Sequence, residues 1–249
     1  MFSASSPVCI GNPASVNYLG SASAAATYTW NFTGGTPSSP SGQGPHNVSY
    51  GTAGTYFLNL TVTENGCVSP ITQLEVIVNP IPTSNFTVTS PICLDGNATV
   101  TYTGTANTSS VYNWNFGGGI TPIQVGQGPF EVKWLTPGTK TISLDVNALG
   151  CQSLPFTQTI EVLPLPTVDA GLDQQSCSGA TVNLGTPALP GYTYFWSPGV
   201  GLTDINSAQT TASRTNNLAQ PIDYEYILRA DDGQCIAYDT VVYRVTAPP

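Results

Sequence analysis

The residues with the most chemistry in them are six cysteines: Cys9, Cys67, Cys93, Cys151, Cys177 and Cys235. A thiol can serve as a nucleophile, a metal ligand or half of a disulfide, and spacing helps to separate the three. Cys9 to Cys67, Cys93 to Cys151 and Cys177 to Cys235 are equal steps along the chain, and the pairs themselves recur at one constant period. A zinc site wants ligands clustered as in CxxC, and no such cluster occurs. A thiol or hydroxyl nucleophile needs a base. The single histidine, His46, falls in a Gly/Pro-rich segment, and its counterpart one period on is Phe130. Evenly counted cysteines at a repeating spacing, in a chain this poor in charge, point to disulfides made in an oxidising compartment. Repetition leaves two regular pairings. One is Cys9–Cys67, Cys93–Cys151 and Cys177–Cys235, each inside a repeat; the other joins neighbours as Cys67–Cys93 and Cys151–Cys177, leaving Cys9 and Cys235 for flanking repeats. The first is preferred, because a small fold closing its own core gains from an internal staple. Such a loop is worth about 4 kcal/mol in the chain-entropy model.

Carboxylates are the second chemical resource, and they are unevenly spread: the first repeat has two, the second four and the third eight. Paired carboxylates can hydrolyse glycosidic bonds, but only the third repeat has enough of them, without a supporting pattern. Calcium needs six to eight oxygens from neighbouring loops. Asp169, Asp173, Asp231 and Asp232 are the candidate set for a calcium site in the third repeat, weighed against a solvated acidic face that keeps the chain soluble. No cofactor is required, and the chain is expected not to be an enzyme. Aromatic pairs form the third group: Tyr28-x-Trp30, Tyr112-x-Trp114 and Tyr194-x-Trp196. Exposed, they would stack on sugars. In an alternating strand, however, the two members share one face, which suits a buried core position.

These residues are positioned by a repeat. Gly42-Gln43-Gly44-Pro45 returns as Gly126-Gln127-Gly128-Pro129, and Ile81-Pro82-Thr83 as Leu165-Pro166-Thr167. Pro-rich junctions divide the chain into three repeats, 1–81, 82–165 and 166–249. Phe2 matches Phe86, so Met1 reads as an initiator added to a segment of a longer protein. Within each repeat the apolar period is two, the mark of strands: Tyr56, Leu58, Leu60 and Val62 alternate with Thr55, Phe57, Asn59 and Thr61. Ile142, Leu144 and Val146 follow in register, as do Tyr226, Leu228 and Ala230. Proline and glycine interrupt every window long enough for a helix. About seven short strands in each repeat predict a two-sheet sandwich. The expected fold is all-β, three tandem immunoglobulin-like sandwiches arranged end to end.

Composition narrows the partners. Five Lys and Arg face fourteen Asp and Glu, a net charge of −9. Nucleic acid and anionic membrane surfaces are disfavoured for want of cations, and the longest apolar run is too short to span a bilayer. Hydrophobic residues make up 40% of the chain, enough to argue for packed cores over disorder.

Trp30-Asn31-Phe32-Thr33-Gly34-Gly35 and Trp114-Asn115-Phe116-Gly117-Gly118-Gly119 resemble the Trp-Asp-Phe-Gly-Asp-Gly signature of PKD (polycystic kidney disease) domains. Gly54-Thr55-Tyr56-Phe57-Leu58-Asn59-Leu60-Thr61-Val62 is similar to that family's late strand, as is 137–146, and Asn65-Gly66-Cys67 fits the turn that follows. The two aspartates of the signature are replaced here by Asn31 and Gly34, and by Asn115 and Gly118, which unsuits the first two repeats for cations. The third repeat, with Asp169-Ala170-Gly171-Leu172-Asp173 and Trp196-Ser197-Pro198-Gly199, resembles a related Ig-like repeat found beside PKD domains in secreted Bacteroidota proteins. The array as a whole resembles the giant surface adhesins of gliding bacteria, of the SprB type, carried by type IX secretion. That resemblance implies an extracellular filament attached to the outer membrane, giving reach and strength for attachment or gliding. Short Pro-containing linkers predict a semi-rigid rod of about 100–120 Å. The expected partners are neighbouring repeats of the same chain and surface polysaccharide, with the segment itself a monomer. The alternative is a carbohydrate-binding accessory region of a secreted polysaccharide hydrolase.

Overall fold

A computed structural model describes residues 1–247. Every regular element among them is a strand. The first repeat contributes β1 (Phe2–Ala4), β2 (Val8–Cys9), β3 (Ala14–Tyr18), β4 (Thr27–Asn31), β5 (Thr36–Pro37), β6 (His46–Ser49), β7 (Gly54–Glu64), β8 (Cys67–Val68) and β9 (Thr72–Asn79). The second adds β10 (Phe86–Val88), β11 (Ile92–Cys93), β12 (Ala98–Tyr102), β13 (Val111–Asn115), β14 (Phe130–Val132), β15 (Gly138–Ala148), β16 (Cys151–Gln152) and β17 (Phe156–Leu163). The third has β18 (Gln174–Cys177), β19 (Thr181–Leu184), β20 (Thr193–Ser197), β21 (Thr210–Ser213), β22 (Ile222–Asp231) and β23 (Ile236–Thr246). The chain is thus a tandem series of immunoglobulin-like β-sandwich repeats.

The contacts divide the chain into two compact units. One comprises Met1–Val88, Thr99–Glu131 and Thr141–Gln158; the other comprises Thr89–Ala98, Val132–Lys140 and the chain from Thr159 on.

In the first unit, the opening repeat is a sandwich of two sheets, ordered β1-β3-β6-β5 and β2-β9-β7-β4, with β8 folded back on β7. The alternation in β7 does the sorting. Leu58, Leu60 and Val62 point into a core with Val16, Val48 and Val76, while Phe57 and Asn59 face outward. β7 turns into β8 through Asn65-Gly66, both at positive φ (52° and 81°), the two-residue hairpin that this dipeptide favours. Second-repeat strands of the same unit keep the register. β4 pairs Trp30 with Leu60 and β13 pairs Trp114 with Leu144. The β15–β16 turn has Leu149 at φ 54° in place of Asn65.

In the second unit, the third repeat folds as β18-β23-β22-β20 against β19-β21. Its core is built on Trp196, Tyr226, Leu228, Val241 and Tyr243. Trp196 pairs with Leu228, matching the register of Trp30 with Leu60. The long β22–β23 hairpin runs from Ile222 opposite Val245 to Asp231 opposite Ile236.

Candidate functional site

The first cysteine of each repeat sits on a short strand that pairs in parallel with the end of the repeat's last strand. Cys9 lies opposite Asn79, Cys93 opposite Leu163 and Cys177 opposite Thr246. The first cysteine therefore marks the end at which the chain leaves the repeat. The second cysteine lies at the other end, just after the turn that closes a long strand: Cys67 opposite Glu64, Cys151 opposite Ala148, and Cys235 immediately before β23.

This geometry overturns the pairing expected within repeats. In the third repeat, Cys177 lies opposite Thr246 at one end of β23, and Cys235 immediately precedes the other end. At ~3.3 Å per residue along that strand they are separated by roughly 36 Å, against the ~7 Å limit between Cα atoms of a disulfide. In the first repeat, β7 puts a similar distance between the neighbourhood of Cys9 and that of Cys67. The disulfides join successive repeats instead: Cys9 to Cys151 and Cys93 to Cys235, each with a sequence separation of 142 and Cα atoms 5.7 Å apart. Each bond lies within one compact unit. Pairing between the nearest cysteines, Cys67–Cys93 and Cys151–Cys177, is overturned by the same bonds. Cys67 and Cys177 are free and exposed, whereas Cys151 and Cys235 are each 1% exposed.

A hydrogen bond reinforces the first of these junctions: the Asn79 side-chain amide donates to the Leu149 carbonyl at 3.0 Å. Within the second repeat, the Ser84 hydroxyl donates to the Leu154 carbonyl at 2.6 Å and the Tyr102 hydroxyl donates to the Thr83 carbonyl at 2.7 Å. The backbone around the receiving cysteine is itself fixed by Ser153, whose hydroxyl accepts the Val146 N–H at 2.9 Å. Ser69 accepts the Val62 N–H at 3.0 Å, so Cys67 has the same local frame as Cys151.

The aromatic pairs are oriented by the sandwich. Trp196 is fully buried, Tyr28 and Tyr112 are buried, and Trp30, Trp114 and Tyr194 are half-buried. Each tryptophan donates its Nε1–H to a backbone carbonyl: Trp30 to Gly42, Trp114 to Gly126 and Trp196 to Ser207. A buried indole needs that partner, and the bond ties a loop to the core. Trp134 is buried as well, as is its counterpart Tyr50. His46 departs from the loop position expected for it. It lies on β6, 1% exposed, with its ring edge-on to Trp30 and Phe32. Phe130 repeats that packing on Trp114 and Phe116, so His46 fills an aromatic core position.

The acidic candidates Asp169, Asp173, Asp231 and Asp232 are not brought together into one cluster. Asp173 accepts the Val242 N–H past the middle of β23, while Asp231 lies opposite Ile236 at the start of that strand. The intervening strand, roughly 20 Å of it, separates them. Asp169 accepts the Gly171 N–H, and Asp231 accepts the Gly233 N–H and pairs with Arg229 at 2.6 Å. Asp232 accepts the N–H groups of Cys235 and Gln234, and these bonds, Cys235's foremost, hold its carboxyl below the usual carboxylate range. Among the described residues, no group of three or more His, Cys, Asp or Glu side chains is placed to hold a metal ion. Nor, among them, is any helix long and apolar enough to cross a membrane.

Residues 1–73 match the PKD domain family. The comparison with curated proteins finds no match. Among solved structures, the chain is similar over its whole length to the N-terminal eight Ig domains of Down Syndrome Cell Adhesion Molecule, with 10% identity and a TM-score of 0.46, spanning 37% of that chain. It is also similar to extracellular domains 3–5 of Drosophila OTK, with 11% identity and a TM-score of 0.32 over 97% of this chain and 94% of that one. Fibronectin(III)-like modules of Clostridium thermocellum CbhA align with 19% identity and a TM-score of 0.32, over 66% of this chain and 95% of that one.

Proposed function

We propose that this chain is a run of repeats, bounded at 1–81, 82–165 and 166–249, from an extracellular cell-surface adhesin, and that its task is mechanical: carrying tension between an attachment point and an anchor. The finer reading is an outer-membrane-attached adhesin of the kind that gliding Bacteroidota export. The observation that carries the proposal is the bonding of each repeat to the next by a disulfide. A fold that only presents a ligand-binding face has no need of covalent ties between successive modules. Such ties persist outside the cell, where thiols are not kept reduced.

Tension on the two termini follows the shortest covalent path. That path runs from the N-terminus to Cys9, across to Cys151, back along the chain to Cys93, across to Cys235, and on to the C-terminus. Fully unfolded, the oxidised chain extends to only about 270 Å, against about 840 Å for the reduced chain, at ~3.4 Å per residue. Force spectroscopy on the end-tethered chain, with and without reductant, measures this directly. The expected result is a roughly threefold gain in final contour length on reduction; equal lengths in the two conditions would refute a tension-limiting role.

A further inference from the structure

The outward face of the third repeat's four-stranded sheet carries side chains that the sandwich itself does not use. β20, β22 and β23 pair in register as Phe195, Arg229 and Tyr238, one row running across three strands. Alternation sends all three away from the core, since their neighbours Trp196, Leu228 and Ala237 are buried. Phe195 is 43% exposed and Tyr238 64%, and Ile227 and Ile236, one step to either side on the same face, are exposed as well. The fold does not require this. At the same register the first repeat places Thr29 opposite Thr61, and the second places Asn113 opposite Asp145. In the first repeat β9 begins to pair at Thr72, opposite Leu60, so the Thr29–Thr61 row stops at two strands. Neighbouring strands lie ~4.8 Å apart, which puts Phe195 and Tyr238 roughly 10 Å apart with Arg229 between them.

We propose that this row is a binding site for an extended, neutral polysaccharide that lies across the strands. A pyranose ring has a C–H face and a rim of hydroxyls. The C–H face suits the negative π faces of Phe195 and Tyr238. The rim finds donors on Arg229, whose guanidinium has five N–H groups, with one engaged by Asp231. Charge selects a neutral ligand. Both cations of the face are already paired, Arg229 with Asp231 and Arg244 with Asp223, each at 2.6 Å. The third repeat as a whole sets three arginines against eight carboxylates, so a polyanion meets net repulsion there. Size selects a glycan strand over a protein, because a standard protein interface uses about 20–30 residues a side, far more than one row with two flanking isoleucines. The inference rests on the adhesin reading for its purpose, since it names what such a chain grips.

The test is affinity electrophoresis of the whole chain in native gels containing hydroxyethylcellulose or galactomannan, both neutral, or alginate, a polyanion. Retardation by at least one neutral glycan, and none by alginate, is the expected result. Phe195→Thr takes the residue type that the first repeat has at Thr29, and Tyr238→Thr keeps a strand-forming side chain. Each is expected to weaken binding roughly tenfold, as the loss of an interfacial aromatic does, while leaving the unfolding midpoint unchanged. Phe57→Thr removes an equally exposed aromatic from the first repeat, opposite Glu75, and is expected to bind as the unsubstituted chain does. No retardation by either neutral glycan would overturn the proposal, and so would an equal loss in Phe57→Thr or stronger retention by alginate. A midpoint that falls in step with binding would make the row structural, and self-association abolished by Tyr238→Thr would assign the face to a second copy. None of these results alters the contour-length measurement, so the glycan site can fail while the tension-bearing role stands, and the reverse.

Discussion

Substituting Cys9 with serine opens the bond to Cys151, releasing a loop with a sequence separation of 142. The chain-entropy relation gives about 5 kcal/mol at 25 °C for closing such a loop. That figure is an upper bound, because the Cys93–Cys235 loop overlaps it from residue 93 to 151 and already restrains that stretch. The expected loss for Cys9→Ser is therefore about 2–5 kcal/mol. Cys151→Ser and the double variant lose the same amount, since all three break a single bond and the effects do not add. Cys67→Ser removes an exposed, unbonded side chain and is expected to cost less than about 0.5 kcal/mol. Guanidinium unfolding without reductant, followed by tryptophan fluorescence, reads these differences. Thiol counting supplies a second readout: two reactive cysteines in the unsubstituted chain, and a third, Cys151, appearing in Cys9→Ser. If Cys67→Ser destabilises as much as Cys9→Ser, the cysteines pair inside the repeat and the reasoning fails.

Other perturbations probe the cores and the carboxylates. Trp196→Ala removes a fully buried indole and its bond to the Ser207 carbonyl, and is expected to cost about 3–5 kcal/mol, read as a lowered unfolding midpoint; a loss of less than about 1 kcal/mol would place the ring outside the core. The Asp232 carboxyl is held below its ordinary pKa by the Cys235 and Gln234 N–H groups. Its stabilising contribution is therefore complete above the unfolded-state value near ~4 and is lost as the pH falls through the lower folded-state value. Asp232→Asn is expected to flatten the acid limb of the melting-temperature profile, and an unchanged limb would contradict the assignment. Because roughly 20 Å of β23 separates Asp173, at Val242, from Asp231, at Ile236, millimolar calcium is expected to leave the melting temperature of the third repeat unchanged; a rise would show that the carboxylates assemble.

The strands are readable from sequence because their signal is local. Alternation of Leu58, Leu60 and Val62, the Asn65-Gly66 turn and the recurring Tyr-x-Trp pairs need only the pleat of one strand to be interpreted. The cysteine partners are not readable, because spacing in sequence does not say which end of a sandwich a residue occupies. Cys67 can be placed from its turn at the end of β7. Cys9 cannot, since its position depends on the parallel pairing of two residues, Val8 and Cys9, with Val78 and Asn79. The repeat period is equally compatible with Cys9 bonding to Cys67 and with its bonding to Cys151. His46 misleads for a related reason: Gly44 and Pro45 precede it, but the strand begins at His46 itself. The acidic residues look like a set because they are close in the numbering at each end of the repeat, whereas the length of β23 keeps the two groups apart.

The overlap of the two disulfide-closed loops also bears on survival among proteases. Cys9–Cys151 bridges any backbone cut between residues 9 and 151, and Cys93–Cys235 bridges any cut between 93 and 235. A single nick anywhere from Cys9 to Cys235, linkers included, therefore leaves one covalent molecule. Staples confined to individual repeats would leave every linker a point of severance. Here the redundancy is greatest in the middle repeat, where both bridges span the same stretch and a cut is doubly covered.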